Sequence, residues 1–439
     1  MTSWLRESPA LYVCASFESD LLVGAKILFL RAMTRFQMPG RGDRERRPWL
    51  ETALRGCAEA AALVPPPMRH EALASAGRSL PNKRSFRGGS IDVTEAAQQP
   101  LPTVTGYATR CAAVALRKHN IPIEPLLERA GISRDAFDGR QHRISAAAQS
   151  AFLECAAEAQ GDGAFGLHLA EAANPREAGL LFYVASAAKN LSEALGLVER
   201  YSRIVNEAVR LRQRRAPDGV VVEFNFVGLS RHRARQNVEF GVAVIVKALR
   251  EVVGRSISPT RVTFAHARNS HLREFERFYR CPVEFAASSD QLSFSKETLA
   301  LPLMTGDPYL LEALQPLCEE AAKERRTVPG SPRNSVENEV QKLLPHGKAK
   351  RQAVAKALGM STRTLSRRLA DEDTTFDEVV DRLRQSLALR YIKERELSLS
   401  QIAWLIGYEG STSLNHAFRR WTGHSPSAMR SETRLPASA

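Results

Sequence analysis

The chain offers little from which catalytic or metal chemistry could be built. Its six cysteines, Cys14, Cys57, Cys111, Cys155, Cys281 and Cys318, are widely spaced, with no C-x-x-C pair and no histidines clustered beside them. Neither a zinc site nor a disulfide framework is indicated. No G-x-x-x-x-G-K-[ST], G-x-S-x-G or H-E-x-x-H occurs, so the usual phosphate loop, nucleophile elbow and metalloprotease helix are missing. The G-x-G-x-x-G pattern from Gly161 to Gly166 follows a helical stretch rather than a strand. It reads as a helix-ending turn, not a dinucleotide site. The run Asp371-Glu372-Asp373 reads as a solvated turn between helices, and His168, in L-H-L-A, as a buried or half-buried helix residue rather than a ligand. No apolar run reaches the roughly 18 to 20 residues of a membrane span, and the opening lacks a signal-peptide layout. The expectation is a cytoplasmic protein without membrane partner, cofactor, metal or enzymatic activity.

What is abundant is positive charge. A net charge of +14 over 439 residues and a pI near 9.8 favour an anionic partner, nucleic acid or an acidic membrane surface. From Arg333 to the end there are 18 Lys and Arg against 12 Asp and Glu, a balance of only +6. Charge alone therefore does not locate the site. The length is that of two or three domains.

Composition divides the chain. Residues 1–100 hold a charge-dense run at 41–47, the triplet Pro65 to Pro67, and a basic, Gly-rich stretch at 82–90. They read as an extension without fixed structure or a start assigned too far upstream, with a basic DNA-contacting tail as the alternative. Residues 101–326 read as mixed α and β. Helical periodicity runs through 106–118, 123–130, 145–159 and 191–204, and alternation around Pro217-Asp218-Gly219 predicts a hairpin with one buried face. A long apolar helix at 238–253, strands at 261–266, 282–285 and 291–294, and a helix opening at Asp307-Pro308 follow. Residues 327–335 read as a linker, 336–431 as an all-α domain and 432–439 as a tail.

The all-α part contains two helix-turn-helix patterns in series. In the first, Val354, Ala355, Leu358, Leu365 and Leu369 fall at helical spacing around the break Gly359-Met360-Ser361, where Ser361 or Thr362 can cap the next helix. Turning 100° per residue from the Leu365–Leu369 stripe puts Arg363 and Arg367 opposite, with Ser366 to one side. The second opens on a capping-box spacing from Ser398 to Gln401. Its following helix buries Leu414, Phe418 and Trp421, turning Thr412, His416 and Arg419 outward with Asn415 adjacent. Between the units, Phe376, Val379, Val380, Leu383, Leu387, Leu389 and Ile392 recur at threes and fours, as expected of one helix bridging two small bundles. A rigid bridge would hold the outward faces about one DNA turn apart, roughly 34 Å.

These residues, in this order, resemble the DNA-binding domain of AraC/XylS-type transcription regulators. The marks are Ile402, Ala403, Gly407 and Tyr408, the A-F-R-R segment from Ala417 to Arg420, and the close Gly423, Ser425, Pro426. Carried over position by position, the resemblance implies DNA contacts at Arg363, Ser366 and Arg367 in the first unit and Ser411, Thr412, Asn415 and His416 in the second. The chain departs from the family pattern at Leu414, where Phe is usual, and at His416, where an imidazole replaces a guanidinium. Upstream, F-Y-R-C-P-V-E-F (Phe278 to Phe285) and A-G-L-L-F-Y-V (Ala178 to Val184) resemble the amino-terminal ligand-binding domain of one branch of the family. That implies a pocket for a small-molecule effector, often an amino acid or a related compound, together with a homodimer and RNA polymerase as a further partner.

The combined expectation is an α+β multidomain protein. A mixed α/β effector-binding domain at 101–326 precedes an all-α domain in which two helix-turn-helix units are joined by a long helix. It would read double-stranded operator DNA as a dimer or through tandem half-sites. The alternatives are a DNA-rearranging enzyme with a helix-turn-helix targeting region, an enzyme acting on small molecules with an appended DNA domain, and a passive basic DNA-coating protein.

Overall fold

Short polar side chains set the helix starts. Ser361 accepts the Thr364 amide through its hydroxyl, and Thr375 with Glu378 and Ser398 with Gln401 each form a reciprocal capping box. Asp307 accepts the amides of Tyr309 and Leu310, and Asn190 that of Glu193. Each cap satisfies backbone donors that a helix N-terminus otherwise leaves orphaned. The computed structural model describes residues 101–138, 143–325, 331–394 and 397–432. The expected extension 1–100 lies outside the described residues, as do 327–330 of the expected linker and 433–439 of the tail.

The first part runs β1 (Thr103–Val104), α1 (Tyr107–Lys118), α2 (Glu124–Ala130), α3 (Arg134–Asp138), β2 (Ile144–Ser145), α4 (Ala146–Gln160), α5 (Phe165–Ala172), α6 (Leu180–Ser186), α7 (Leu191–Tyr201), β3 (Val209–Ala216) and β4 (Gly219–Phe226). Then come α8 (Arg235–Val253), β5 (Arg261–Thr263), α9 (Leu272–Tyr279), β6 (Val283–Glu284), β7 (Asp290–Ser295), α10 (Lys296–Leu299) and α11 (Pro308–Lys323). Strands β1 and β2 pair separately, and the main sheet has the order β3-β4-β7-β5-β6, antiparallel except between β5 and β6. In the hairpin Leu211, Val222 and Phe224 are buried while Arg210 and Arg212 pair on the other face, so one face is covered as the alternation requires. Helix α8 packs on α4 and α5.

Several elements depart from the periodicity reading. Helix α6 is absent from that reading and α5 enters it only through His168; neither has a side-chain cap at its start. The strand expected at 261–266 ends at Thr263, because Phe264 turns into a cluster of aromatic rings and His266 into a buried ion network. Gly161 ends α4 with φ 67°, and the Asp162 carboxylate accepts the Ala164 amide, so the G-x-G-x-x-G segment is a helix-ending turn. His168 on α5 is half-buried between Asp162 and Glu274, each 2.7 Å away. Its hydrogen bond to Asp162 leads the effects that raise its pKa to about 9.

The helical part comprises α12 (Pro332–Leu343), α13 (Arg351–Ala357), α14 (Thr362–Ala370), α15 (Phe376–Lys393), α16 (Leu399–Leu405), α17 (Ser411–Thr422) and α18 (Pro426–Glu432). Helix α12 starts inside the stretch read as a linker. It packs on α13, α14 and α15. One apolar cluster joins both helix-turn-helix units, including Val354, Leu365, Leu369, Leu383, Ile402, Leu414 and Phe418. Leu389, expected on the buried stripe of α15, is only half-buried; Ala388 and Tyr391 are buried there instead.

Two glycines close the helix-turn-helix turns in the left-handed region, Gly359 at φ 67° and Gly407 at φ 76°. Their surroundings differ. A Cβ at Gly359 meets nothing within 4 Å, whereas at Gly407 it falls 2.7 Å from the Leu344 carbonyl oxygen. Gly359→Ala should therefore lose about 1–2 kcal/mol, the cost of left-handed backbone. Gly407→Ala should lose about 2–5 kcal/mol, since overpacking adds about 1–3. Equal denaturation midpoints for the two variants would show that the Leu344 contact yields freely.

Candidate nucleic-acid interface and effector cavity

Helix α14 buries Leu365 and Leu369 and leaves Arg363, Ser366, Arg367 and Arg368 exposed. Helix α17 buries Leu414 and Phe418, with Trp421 half-buried, and exposes Thr412, His416 and Arg419; Ser411 and Asn415 are half-exposed. Arg363 and Arg367 of α14 and Thr412, His416 and Arg419 of α17 thus stand opposite the buried stripe of their helix, while Ser366 and Asn415 flank it and Ser411, three residues before Leu414, lies at its edge. Arg363, Arg367, Arg368 and Arg419 have no ion-pair partner among the described residues, so their guanidinium donors are open to phosphate or base edges.

The bridging helix fixes both units. At its start Asp377 pairs with Arg351 at 2.9 Å. One turn on, Asp381 accepts from Arg420 at 2.6 Å and from the Trp421 indole at 2.9 Å. Arg384 donates to the carbonyls of Ile406 and Gly407 at 3.0 and 3.2 Å while lying over the Tyr408 ring, and Arg430 donates to the Ile392 carbonyl. Helix α15 has 18 residues, about 27 Å of axis at 1.5 Å per residue. Arg420, within the A-F-R-R mark, therefore serves to fasten α17. Asp381 and Arg384 are not among the residues singled out in the sequence; the Trp421 N–H, which needs a partner when half-buried, was the available signal.

The helical part also grips the α/β part. Asn338 on α12 accepts the Arg231 amide at 2.8 Å and donates to the carbonyl of Leu229 at 3.0 Å. Ser230 donates to Asn334 at 3.0 Å, Arg235 pairs with Glu394, and Ala267 lies inside the helix-turn-helix apolar cluster. The pair Lys393–Glu158 is largely exposed and contributes little, about 0–1 kcal/mol. Glu372, from the acidic run, accepts from the Ser331 hydroxyl and the Arg333 amide at the start of α12. It is thereby a contact to that helix as well as part of a turn.

Behind this contact lies a buried ion network. Arg231 forks onto Asp290 at 2.6 and 2.5 Å and reaches His266 Nδ1 at 2.9 Å. His266 Nε2 lies 2.7 Å from Glu239, which also accepts from Arg268 at 2.6 Å. All five are at most 4% exposed. Burial pushes the Glu239 carboxyl upward, but Arg268, His266 and Arg235 outweigh it and hold it at about 2. Burial drives His266 down to about 3, against the pull of Glu239. Arg231 can only donate and ionised Glu239 can only accept, so His266 is neutral with its proton on Nε2. Two cations then face two carboxylates.

Between α1, α6, α7, α8 and the inner face of the β3–β4 hairpin lies a cavity of about 180 Å³, lined by side chains such as Tyr107, Phe182, Val198, Phe224, Phe240 and Val244. Phe226 lines it too and lies under the Arg231 guanidinium, 5.4 Å away. Asn338 also donates to the Phe226 carbonyl at 3.4 Å. The cavity wall and the interdomain contact therefore share one strand end. Sequence reasoning anticipated a pocket in this part without naming its residues.

Two helix-turn-helix units on a single bridging helix, with outward guanidiniums that have no ion-pair partner among the described residues, define a DNA-binding protein, and the α/β part in front of them houses a ligand-sized cavity. Residues 121–303 match the family described as the arabinose-binding domain of AraC transcription regulator, N-terminal, and residues 354–432 match a helix-turn-helix domain. The chain is an AraC-type transcription regulator, with an arabinose-binding-like effector domain ahead of its DNA-binding domain. Similar curated proteins include an ornithine utilization regulator of Pseudomonas aeruginosa, 26% identical over 71% of this chain and 92% of its own length. Another, the HTH-type transcriptional regulator VqsM of the same species, is 25% identical over 61% of this chain and 84% of its own. Among solved structures, the transcriptional regulator CdpR from Pseudomonas aeruginosa is 24% identical, covering 74% of this chain and 98% of that one at a TM-score of 0.37. No described helix is long and apolar enough to cross a membrane.

Proposed function

We propose that Arg363, Ser366 and Arg367 on α14 and Ser411, Thr412, Asn415, His416 and Arg419 on α17 read two successive major grooves on one side of operator DNA. The outward position of Arg363, Arg367, Thr412, His416 and Arg419, opposite the buried stripe of each helix, carries this reading. Lys and Arg contacts to phosphates supply salt-dependent affinity, and the outward side chains select bases. The protein acts in the cytoplasm without catalysis of its own, as a homodimer or on tandem half-sites, with RNA polymerase as its further partner. Its two working parts follow the expected bounds 101–326 and 336–431, the second reaching back to Pro332 where α12 begins.

The cavity is the effector site, and its coupling to DNA runs through the end of β4. Occupation that displaces Phe226 bears at once on Arg231 and on Asn338 of α12. Effector binding changes DNA affinity to the extent that the two arrangements of this contact bind the effector differently.

Arg367→Ala tests the reading of α14. At a specific site it should weaken binding by about 1–3 kcal/mol if the guanidinium pairs with guanine, with a smaller loss on random DNA, as fluorescence anisotropy would measure. Equal losses on both would make it a phosphate contact. No preference for any sequence in the unmodified protein would favour the passive DNA-coating reading.

A further inference from the structure

The lining of the cavity says what class of molecule it takes. Among the described residues that line it, none is Asp, Glu, Lys, Arg or His. The neighbouring cations do not line it and are bonded to backbone carbonyls: Arg110 to that of Thr105, and Lys247 to those of Glu171 and Ala173. An ammonium or carboxylate placed here would lose its hydration without finding a counter-charge. Most polar liners are already paired as well. Tyr107 donates to the Asn174 carbonyl at 2.8 Å, Gln149 to Asn237 at 3.1 Å, and Asn237 to Ser150 at 3.2 Å.

Among the described residues, two uncharged lining groups remain unused. Asn206 accepts the Ala208 amide through its oxygen, leaving its amide nitrogen without a bond, and the Thr105 hydroxyl has none. The two lie on neighbouring segments, since the Thr105 amide donates to the Val205 carbonyl at 3.0 Å and Val104 bridges Asn206.

A second observation concerns Gly241, which lies inside helix α8 and lines the cavity. A Cβ added there meets nothing within 4 Å. Alanine would favour the helix more than glycine does, so the residue that gives most room occupies the cavity wall at the expense of helix propensity. At about 180 Å³ the space is slightly larger than the roughly 150 Å³ apolar cavity that holds benzene in an engineered protein.

We infer that the effector is a small, uncharged, predominantly apolar molecule, about one ring in size, whose single polar group meets Thr105 and Asn206. This rests on the cavity being the effector site, and it departs from the amino-acid class that the family resemblance suggests.

The test is calorimetric titration of the full chain with toluene, benzyl alcohol, L-ornithine and L-arabinose, for the natural protein and for Gly241→Leu, which fills the space from an open Cβ position. Toluene and benzyl alcohol should bind the natural protein and bind Gly241→Leu at least tenfold more weakly. Thr105→Val should weaken benzyl alcohol more than toluene. If Gly241→Leu does not fold, Gly241→Ala takes its place with the same order of effects. Binding of ornithine or arabinose that the Gly241 variant abolishes would overturn the inference, as would failure of both apolar probes to bind. DNA affinity measured with benzyl alcohol at saturation separates the two readings. An unchanged affinity would remove the cavity's regulatory role while leaving the ligand class in place.

Discussion

Replacing Asp290 with alanine is expected to remove about 3–5 kcal/mol of folding stability, because it strands the Arg231 guanidinium, 4% exposed, without its carboxylate. The damage should not stay local. Arg231 also holds His266 in the tautomer that donates to Glu239, and its backbone amide is anchored by Asn338 of the DNA-binding part. A denaturant melt of Asp290→Ala should therefore show loss of the contact between the two parts together with the loss of stability. Removing a whole pair is a different experiment. Arg231→Met with Asp290→Leu should recover much of the deficit, since well-packed apolar residues often replace a buried ion pair without net cost. A single-variant loss under about 1 kcal/mol would mean that water reaches the network and screens it.

Phe418→Ala is expected to cost about 3–5 kcal/mol. The ring is fully buried where α17 meets the bridging helix and α16, and the space it leaves is bounded by helices that cannot collapse without moving the outward face. Sequence-specific DNA binding should fall with it, while ligand binding in the α/β part is preserved. By contrast Arg420→Ala removes a pair in which the guanidinium is 64% exposed, and about 0–1 kcal/mol is expected. If the Phe418 variant kept the natural melting behaviour, the assignment of this stripe as the core of the second unit would be wrong.

The two parts were not equally legible in the sequence. Signals in the helical part are local. The capping boxes at Thr375 and Ser398, the glycine breaks at Gly359 and Gly407, and the stripes through Leu365 and Phe418 each span a few residues, and each acts over that distance. Long-range contacts leave no such trace. Arg231 and Asp290 lie 59 positions apart, and no local pattern in the sequence singles out either. Glu239 gave a faint signal, as a carboxylate inside an otherwise apolar stretch of α8 whose burial demands a partner. The cavity was harder still, because periodicity identifies a residue turned away from solvent without saying whether it faces atoms or space. Gly241, a helix-interior glycine on that apolar face, was the one hint. Helix α12 was partly masked by its polarity: Asn334, Glu337 and Asn338 meet polar groups of the α/β part, which leaves only the narrow stripe of Val336, Val340 and Leu343 to mark it as packed on a core.

The central claim is that α14 and α17, fastened to one bridging helix, read DNA sequence together. Selection of bound sequences from a random duplex library by the full chain at physiological ionic strength tests it most directly. The account predicts enriched sites with two recognition elements about one helical turn apart, roughly 10 base pairs, and loss of one element when Arg363 and Arg367 are both replaced by alanine. Enrichment of no sequence at all, or of a single element unaffected by those replacements, would contradict it.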